Sequence, residues 1–363
     1  MNMIHARVGV QQRVLPEYRT EFFDALATTC LKGLSVFAGE PCRGEVVETV
    51  NRLAIANYTH ANNLHFFHGS AYLYWQAGVL NWLRRWQPDA LIMEINPRNR
   101  SNPLAVRWMK ARGRPVIGWG LGLPGGGFIY RLIHQTLLHS CDAVIAYSTS
   151  AALQYRNAGV KPSRVFVAAN AVTRRPATAA LTRPPVFHEN TPQLLFVGRL
   201  QPRKRVDTLL RALALLPPHQ QPQLTVIGDG PDRTRLEMLA WQLYPRAVFH
   251  GAKHGEELEP YYETADLFIL PGTGGLAVQQ AMAHSLPVIV GEADGTQGEL
   301  VREEHGWTLP DDNPETLARV ISEALSNVER LRQKGLASHR IVTEEVNLEA
   351  MVKTFIKAVE SVL

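Results

Sequence analysis

Short apolar runs alternate with amphipathic stretches along the chain, and the alternation occurs twice. That pattern predicts two open parallel sheets with helices on both faces. In the first half the strand-like runs are IHARVGV, LSVFAG, DALIMEI, RPVIGWG, DAVIAYS and VFVAAN at 165–170, with helices predicted over 101–112 and 128–139. In the second half they are QLLFVG, QLTVIG, AVFHG, DLFILPG and LPVIVG. Between the halves, TRRPATAALTRPPVFHEN carries three prolines and no usable period, so residues 173–190 read as a connection. A chain of 363 residues exceeds what one core usually organises. The expectation is an α/β protein with a first Rossmann-like domain over 1–172, a linker over 173–190 and a second over 191–345. A closing amphipathic helix over 346–363 fits packing at home or packing back on the first domain.

Composition narrows the function classes. The apolar fraction is 45%, no run approaches a membrane span, and MNMIHARVGV lacks the regions of a signal peptide, so a soluble, cytoplasmic chain is expected. Cys30, Cys42 and Cys141 are widely spaced and odd in number, which suits a reducing compartment better than a disulfide or zinc scaffold. A net charge of +5 suits phosphate-bearing substrates or loose attraction to an anionic membrane face. Nucleic acid as a partner would demand a clustered basic stripe or motif, and neither is present. The amphipathic segment 19–32 leaves peripheral contact with the inner face of the plasma membrane open as a further expectation.

The densest chemistry lies in LLFVGRLQPRKRVDTLLRALALLP, residues 194–217, where Arg199, Arg203, Lys204 and Arg205 stand between a buried strand and a helix. Val206, Leu209, Leu210 and Leu213 recur at helical spacing, which puts the cations in the turn and the helix's first winding. Positive charge opposes the helix dipole there, and Asp207 offsets only part of it, so the cluster calls for an anion. The plainer alternative is a solvated basic helix start.

Three more loops follow second-half strands, at the ends where open α/β sheets bind ligands. Gly228-Asp229-Gly230-Pro231 reads as a tight turn before a helix. His250-Gly251-Ala252-Lys253 precedes a helix near Glu256 and offers backbone to a planar base. In PGTGGLAVQQAMAHSLPVIV, residues 271–290, Gly272, Thr273, Gly274, Gly275 and Leu276 form a glycine-rich turn feeding a short helix. The free N–H groups at the helix start suit an oxyanion, against the alternative of glycines serving strand-to-helix geometry alone. A cationic element and a backbone element in one domain fit a diphosphate.

The first half speaks more softly. Glu94, Asn96, Arg98 and Asn99 follow the strand ALIM and put a carboxylate and a guanidinium at a strand's carboxyl end, as substrate ligands or as a surface ion pair. Gly120, Gly122 and Gly125 spell Gly-x-Gly-x-x-Gly, but Pro124 and Gly126-Gly127 delay the helix, so a flexible glycine-rich wall is favoured over a dinucleotide site. The patch His65-Phe66-Phe67-His68 with Tyr72, Tyr74 and Trp75 reads as core more readily than as a sugar or lipid platform. No P-loop, zinc helix motif, nucleophile elbow or Asp-x-Asp pair occurs, so no metal and no cofactor beyond the substrate is expected.

FVGRLQPRKRVD, LTVIGDGPDRTRLE, VFHGAKHGEELEPYYETADLFILP and GLAVQQAMAHSLPVIV, in this order and spacing, resemble the C-terminal half of the retaining GT-B glycosyltransferases of family four. The resemblance covers residues 190–310 and continues more loosely into AYSTSAALQYRNAGVKPSRVFVAANAV. It implies a GT-B fold, two Rossmann-like parallel-sheet domains facing a cleft. It also implies a UDP- or GDP-linked sugar donor and a saccharide or lipid-linked acceptor, in a polysaccharide or lipopolysaccharide pathway. The donor diphosphate would fall to Arg199 and Lys204, with Gly198, Gly228, Gly230, His250, Gly251, Ala252 and Gly272–Leu276 around the donor. Glu94 would join Arg199 and Lys204 in catalysis. Glu-x-Asn-Pro-Arg followed by Trp119-Gly120 resembles a subset of the family, which assigns Arg98, Trp119 and Gly120 to the acceptor. The chain departs from the family at its paired glutamates, whose places are Gly272 and Gln280, and at the histidine usual where Trp119 stands. The resemblance implies that Gln280 accepts from the ribose without charge. The departures keep a second expectation open, a catalytically silent sugar-nucleotide-binding subunit or sensor.

Overall fold

The computed structural model describes residues 3–363 apart from 44, 46, 126 and 292–296, and apart from the side chains of 70, 128, 129 and 298. Gly126 of the expected glycine-rich wall therefore lies outside the described residues. The chain divides into two compact units, Met1–Val172 with Leu348–Leu363, and Thr173–Asn347.

The first unit holds an eight-stranded sheet of β1 (Val8–Val14), β2 (Leu34–Gly39), β3 (Asn57–Phe66), β4 (Leu73–Ala77), β5 (Ala90–Glu94), β6 (Val116–Gly120), β7 (Ala143–Ala146) and β8 (Val165–Val167). Their order across the sheet is β4-β3-β2-β1-β5-β6-β7-β8. All neighbours are parallel except β3 and β4. The inner strands are covered on both faces, which is why they read as continuous apolar runs. On one face the helices Thr20–Ala27 and Leu348–Glu360 bring Phe22, Phe23, Leu26, Met351, Val352 and Phe355 onto Val8, Val10, Ile92 and Trp119. The apolar stripe of segment 19–32 is thus spent in the core, which removes it as a membrane-facing surface. On the other face Trp82, Trp108, Met109 and Tyr155 pack on Leu91, Met93 and Val144.

The second unit holds β9 (Gln193–Val197), β10 (Gln223–Ile227), β11 (Ala247–Phe249), β12 (Leu267–Leu270), β13 (Val288–Gly291) and β14 (Gly306–Leu309), all parallel, in the order β11-β10-β9-β12-β13-β14. Residues 173–190 carry no strand or α-helix, but Arg183 fixes them to this unit. Its guanidinium donates to the carbonyls of Ala265, Tyr262 and Ser285 at 2.7, 2.8 and 2.7 Å.

Each strand order reverses once, between β1 and β5 in the first sheet and between β9 and β12 in the second. At such a reversal the loops leaving the two neighbouring strands diverge to opposite faces and open a crevice at their carboxyl ends. The loops concerned are those after β9 and β12, and those after β1 and β5.

Candidate functional site

In the second unit the reversal falls between the cationic loop and the glycine-rich loop. After β9 the chain runs through Gly198 and Arg199 into a short 3-10 turn, Pro202–Lys204, and the α-helix starts only at Val206. Of the turn and first winding that the spacing suggested for the cations, the structure gives Arg203 and Lys204 the turn. Arg205 is the capping residue, in the left-handed region at φ 56°, and its guanidinium pairs with Asp312. Arg203 is tied to Gln201 Oε1 at 2.9 Å and to Thr273 Oγ1 at 3.3 Å. Arg199 differs. Its Nε is buried without a partner, and among the described residues no acceptor takes its guanidinium.

The glycine-rich loop closes on the cationic one. Thr273 N–H donates to Arg203 O at 3.0 Å. A Cβ at Gly272 would lie 2.6 Å from Lys204 Cα and C, and closer still to Arg203 O. Gly274, at φ 145°, leaves room for the Lys204 ammonium, which a Cβ there would strike. From beneath, the fully buried Gln297 accepts Gly274 N–H at 3.0 Å and donates to Gly272 O at 3.1 Å. The N–H groups of Thr273 and Gly274 are thus consumed in holding the turn. Among the described residues the amides of Gly275, Leu276 and Ala277, at the start of the helix Leu276–Ala283, have no acceptor. Lys204 and this helix start converge on one place, with electrostatics suited to negative charge.

The two remaining loops stack beside the first. Leu200 N–H donates to Asp229 O at 2.9 Å, and Gly228 N–H to Gly251 O at 2.8 Å. Gly228 and Gly230 are more than turn formers. A Cβ at either would come within 2.9 Å of the carbonyl carbon of Gly198 or Leu200, so their bareness lets two backbones touch. Asp229 is held below the ordinary carboxylate range by Gly230 N–H and Arg233, with Arg199 adding to the effect. The His250 ring lies 5.1 Å from Tyr261, and Gly251 takes φ 73°, leaving Ala252 exposed at the rim. Gln280, half-buried on the helix Leu276–Ala283, already accepts from the buried Tyr262 hydroxyl at 3.3 Å, a contact the sequence did not signal. Its amide and one lone pair remain for a ligand.

In the first unit Glu94 ends β5, and its carboxylate accepts Arg13 N–H at 3.3 Å and the Tyr74 hydroxyl at 3.5 Å. Burial holds its carboxyl above the ordinary value, opposed by the Arg13 N–H and charge. Trp119 was expected to meet an acceptor. It is 1% exposed, between Phe22, Phe355 and Tyr147, with Arg19 5.0 Å from its ring, so it belongs to the core. Gly120 ends β6 with its carbonyl accepting Tyr147 N–H at 3.2 Å, and a Cβ there would come against the Tyr155 hydroxyl. Arg98 follows β5, and its Nε is buried without a partner. Among the described residues no cluster of three metal-ligating side chains occurs, and no helix is long and apolar enough to cross a membrane.

Residues 180–337 match the family model for glycosyl transferases, group 1. A GDP-mannose-dependent alpha-mannosyltransferase of Mycobacterium tuberculosis is 38% identical over 125 residues, 34% of this chain and 31% of that protein. An uncharacterized glycosyltransferase of Methanocaldococcus jannaschii is 33% identical over 140 residues, 37% of this chain and 36% of that protein. The chain thus spans about a third of the length of these curated relatives. Among solved structures, the Anabaena protein HepE with UDP and glucose superposes with a TM-score of 0.71 at 15% identity, over 98% of this chain and 100% of that one. Sucrose-phosphate synthase from Thermosynechococcus elongatus gives 0.72 at 17%, over 98% of each chain. At such identity the likeness is one of fold, and the fold is GT-B. The matches give no support to a silent binding subunit.

Proposed function

We propose that the chain is a retaining, metal-independent glycosyltransferase that moves a sugar from a UDP- or GDP-linked donor to a saccharide or lipid-linked acceptor in polysaccharide or lipopolysaccharide synthesis. The observation that supports this best is the meeting of the Lys204 ammonium with the bare turn at Gly274 and the open helix start at Gly275. A nucleoside diphosphate is the ligand whose chemistry fits a guanidinium, an ammonium and backbone amides in one place. Arg199, which follows Gly198 in the loop after β9, has its Nε buried without a partner and would supply the guanidinium. His250–Ala252 would border the base and Gln280 the ribose.

In this reading the nucleoside diphosphate departs and the acceptor hydroxyl attacks from the same face, so no protein nucleophile forms a covalent intermediate. Negative charge grows on the departing diphosphate, and Arg199, Lys204 and the amides from Gly275 are fixed in advance to meet it. Fixed dipoles and charges act without reorganising during the reaction, which is where such a site gains its rate. Glu94, with its carboxyl raised by burial, would accept a hydrogen bond from the attacking hydroxyl.

The experiment is release of UDP or GDP from a panel of nucleotide sugars, with cell-derived acceptors, by wild type and Lys204→Ala. Wild type is expected to turn over one donor. Lys204→Ala is expected to lose about 3 to 4 kcal/mol of barrier stabilisation, the size of losing one oxyanion donor, and to bind the nucleotide more weakly. A Lys204→Ala protein with unchanged rate and nucleotide affinity would remove this function from the site.

A further inference from the structure

The first sheet also reverses its strand order, between β1 and β5, and the loop leaving β5 there carries Arg98. Its backbone is fixed on both sides. Arg98 N–H donates to Asn96 Oδ1 at 3.0 Å, Tyr74 N–H donates to Arg98 O at 2.9 Å, and Arg100 N–H donates to Tyr74 O at 2.9 Å. The guanidinium lies 5.9 Å from the ring centroids of both Tyr72 and Tyr130. Its Nε is buried without a partner, and among the described residues no carboxylate or other acceptor takes any of its N–H groups.

The ring wall beside Arg98 comes from an unusual strand. β3 pairs with β2 only as far as Gly39, opposite Ala61, and residues 62–66 run on to pair antiparallel with β4. The hairpin overhangs the carboxyl edge of the sheet and sets His65, Tyr72 and Tyr74 in a row, with ring centroids 5.9 and 6.0 Å apart. His65 Nδ1 meets the Tyr72 hydroxyl at 2.7 Å, whereas its Nε2 is buried with no partner. The nearby carboxylates are engaged elsewhere. Glu45 pairs with Arg13 at 2.6 Å, and Glu94 accepts from Arg13 N–H and Tyr74.

A guanidinium between two aromatic rings presents a planar, pre-organised fork, so less freedom is lost for each hydrogen bond it forms. A buried N–H left without an acceptor, as at Arg98 Nε, is costly, so a ligand that supplies an acceptor is favoured. A fork of this kind matches two oxygens of a phosphate or carboxylate, and no neighbouring acid neutralises it. We propose that Arg98, held by Tyr72 and Tyr130 beside His65, recognises an oxyanion, a phosphate or carboxylate. The transferase reading enters only in naming the acceptor as the molecule that bears it.

Calorimetric titration of the full chain tests this, with Lys204→Ala as background so that the cradle of the second unit contributes less. The probes are glucose, glucose 6-phosphate, glucuronate, and vesicles of phosphatidylcholine with and without phosphatidylglycerol, all at low salt. At least one charged sugar is expected to bind ten-fold or more tightly than glucose. Arg98→Gln should erase that preference and Arg98→Lys should keep part of it. The preferred charged sugar distinguishes phosphate from carboxylate. Equal binding of all three sugars, or a preference that survives Arg98→Gln, overturns the proposal. Binding to phosphatidylglycerol vesicles alone, lost in Arg98→Gln, assigns the oxyanion to a lipid headgroup and overturns the sugar acceptor as its bearer. The titration contains no nucleotide, so failure of UDP and GDP to bind wild type would sink the transferase reading separately.

Discussion

Gly272→Glu restores the acid that the resemblance leads one to expect at this place, and sequence similarity alone would forecast a gain in donor binding. The geometry forecasts a loss. A Cβ at 272 would fall 2.6 Å from two backbone atoms of Lys204 and nearer still to Arg203 O, where no flexible side chain stands to move aside. The cationic turn and the glycine-rich turn must then part, and the Thr273 N–H to Arg203 O bond of 3.0 Å breaks. A backbone hydrogen bond contributes about 1 kcal/mol net, and forced overpacking costs about 1 to 3 kcal/mol, so the variant should be destabilised by roughly 2 to 4 kcal/mol. Parting the turns also carries Lys204 away from the helix start at Gly275, and nucleoside diphosphate affinity should fall about ten-fold or more, since two charge-assisted contacts are misplaced. Urea unfolding of wild type, Gly272→Ala and Gly272→Glu, with calorimetry against UDP and GDP, measures both. The alanine variant separates the steric effect from the charge and should show most of the stability loss. A glutamate variant with an unshifted midpoint and tighter nucleotide binding would refute the reasoning.

Two further outcomes are expected. Gln297→Leu leaves Gly274 N–H and Gly272 O without their partner, at about 1 to 3 kcal/mol for each buried group; the variant should lose stability and nucleotide affinity together, and a loss of neither would show that the turn holds itself. His134 and His305 are buried and held neutral, each pushed down to about 4 by burial. The unfolded chain binds protons first as pH falls through about 6.5, so stability present at neutral pH is lost between about 6.5 and 4, by up to about 3 kcal/mol per histidine. Urea midpoints from pH 7 to pH 4.5 should fall less steeply in His134→Phe than in wild type, and parallel slopes would contradict the assignment.

Much of the fold was legible because parallel strands buried on both faces must be apolar throughout, as LLFV and ALIM are. β3 was not, since NYTHANNLHF lies next to the sheet edge and alternates exposed with half-buried positions. Arg199 and Lys204 stood out because cations before a helix start are electrostatically out of place. Gln297 left no such mark. It holds the turn from 25 residues away in sequence, through a carboxamide of ordinary composition. The clasp on Arg98 joins Tyr72 and Tyr130 from opposite sides of it in the chain, and only folding brings them to one guanidinium. The aromatic patch was read as core, and it divides: Tyr74 is buried, whereas Phe66 and Phe67 are 46% and 66% exposed.

The helix Leu348–Glu360 completes the core of the first unit, although residues 173–347 of the other unit lie between them in the chain. During synthesis on a ribosome, Phe22 and the rings around it therefore wait for a covering that emerges after an entire second unit. The unit translated later has all its residues in hand sooner, at 347 against 363. Order of manufacture and order of completion are reversed, and a nascent chain stalled before residue 348 would present that uncovered apolar face to chaperones.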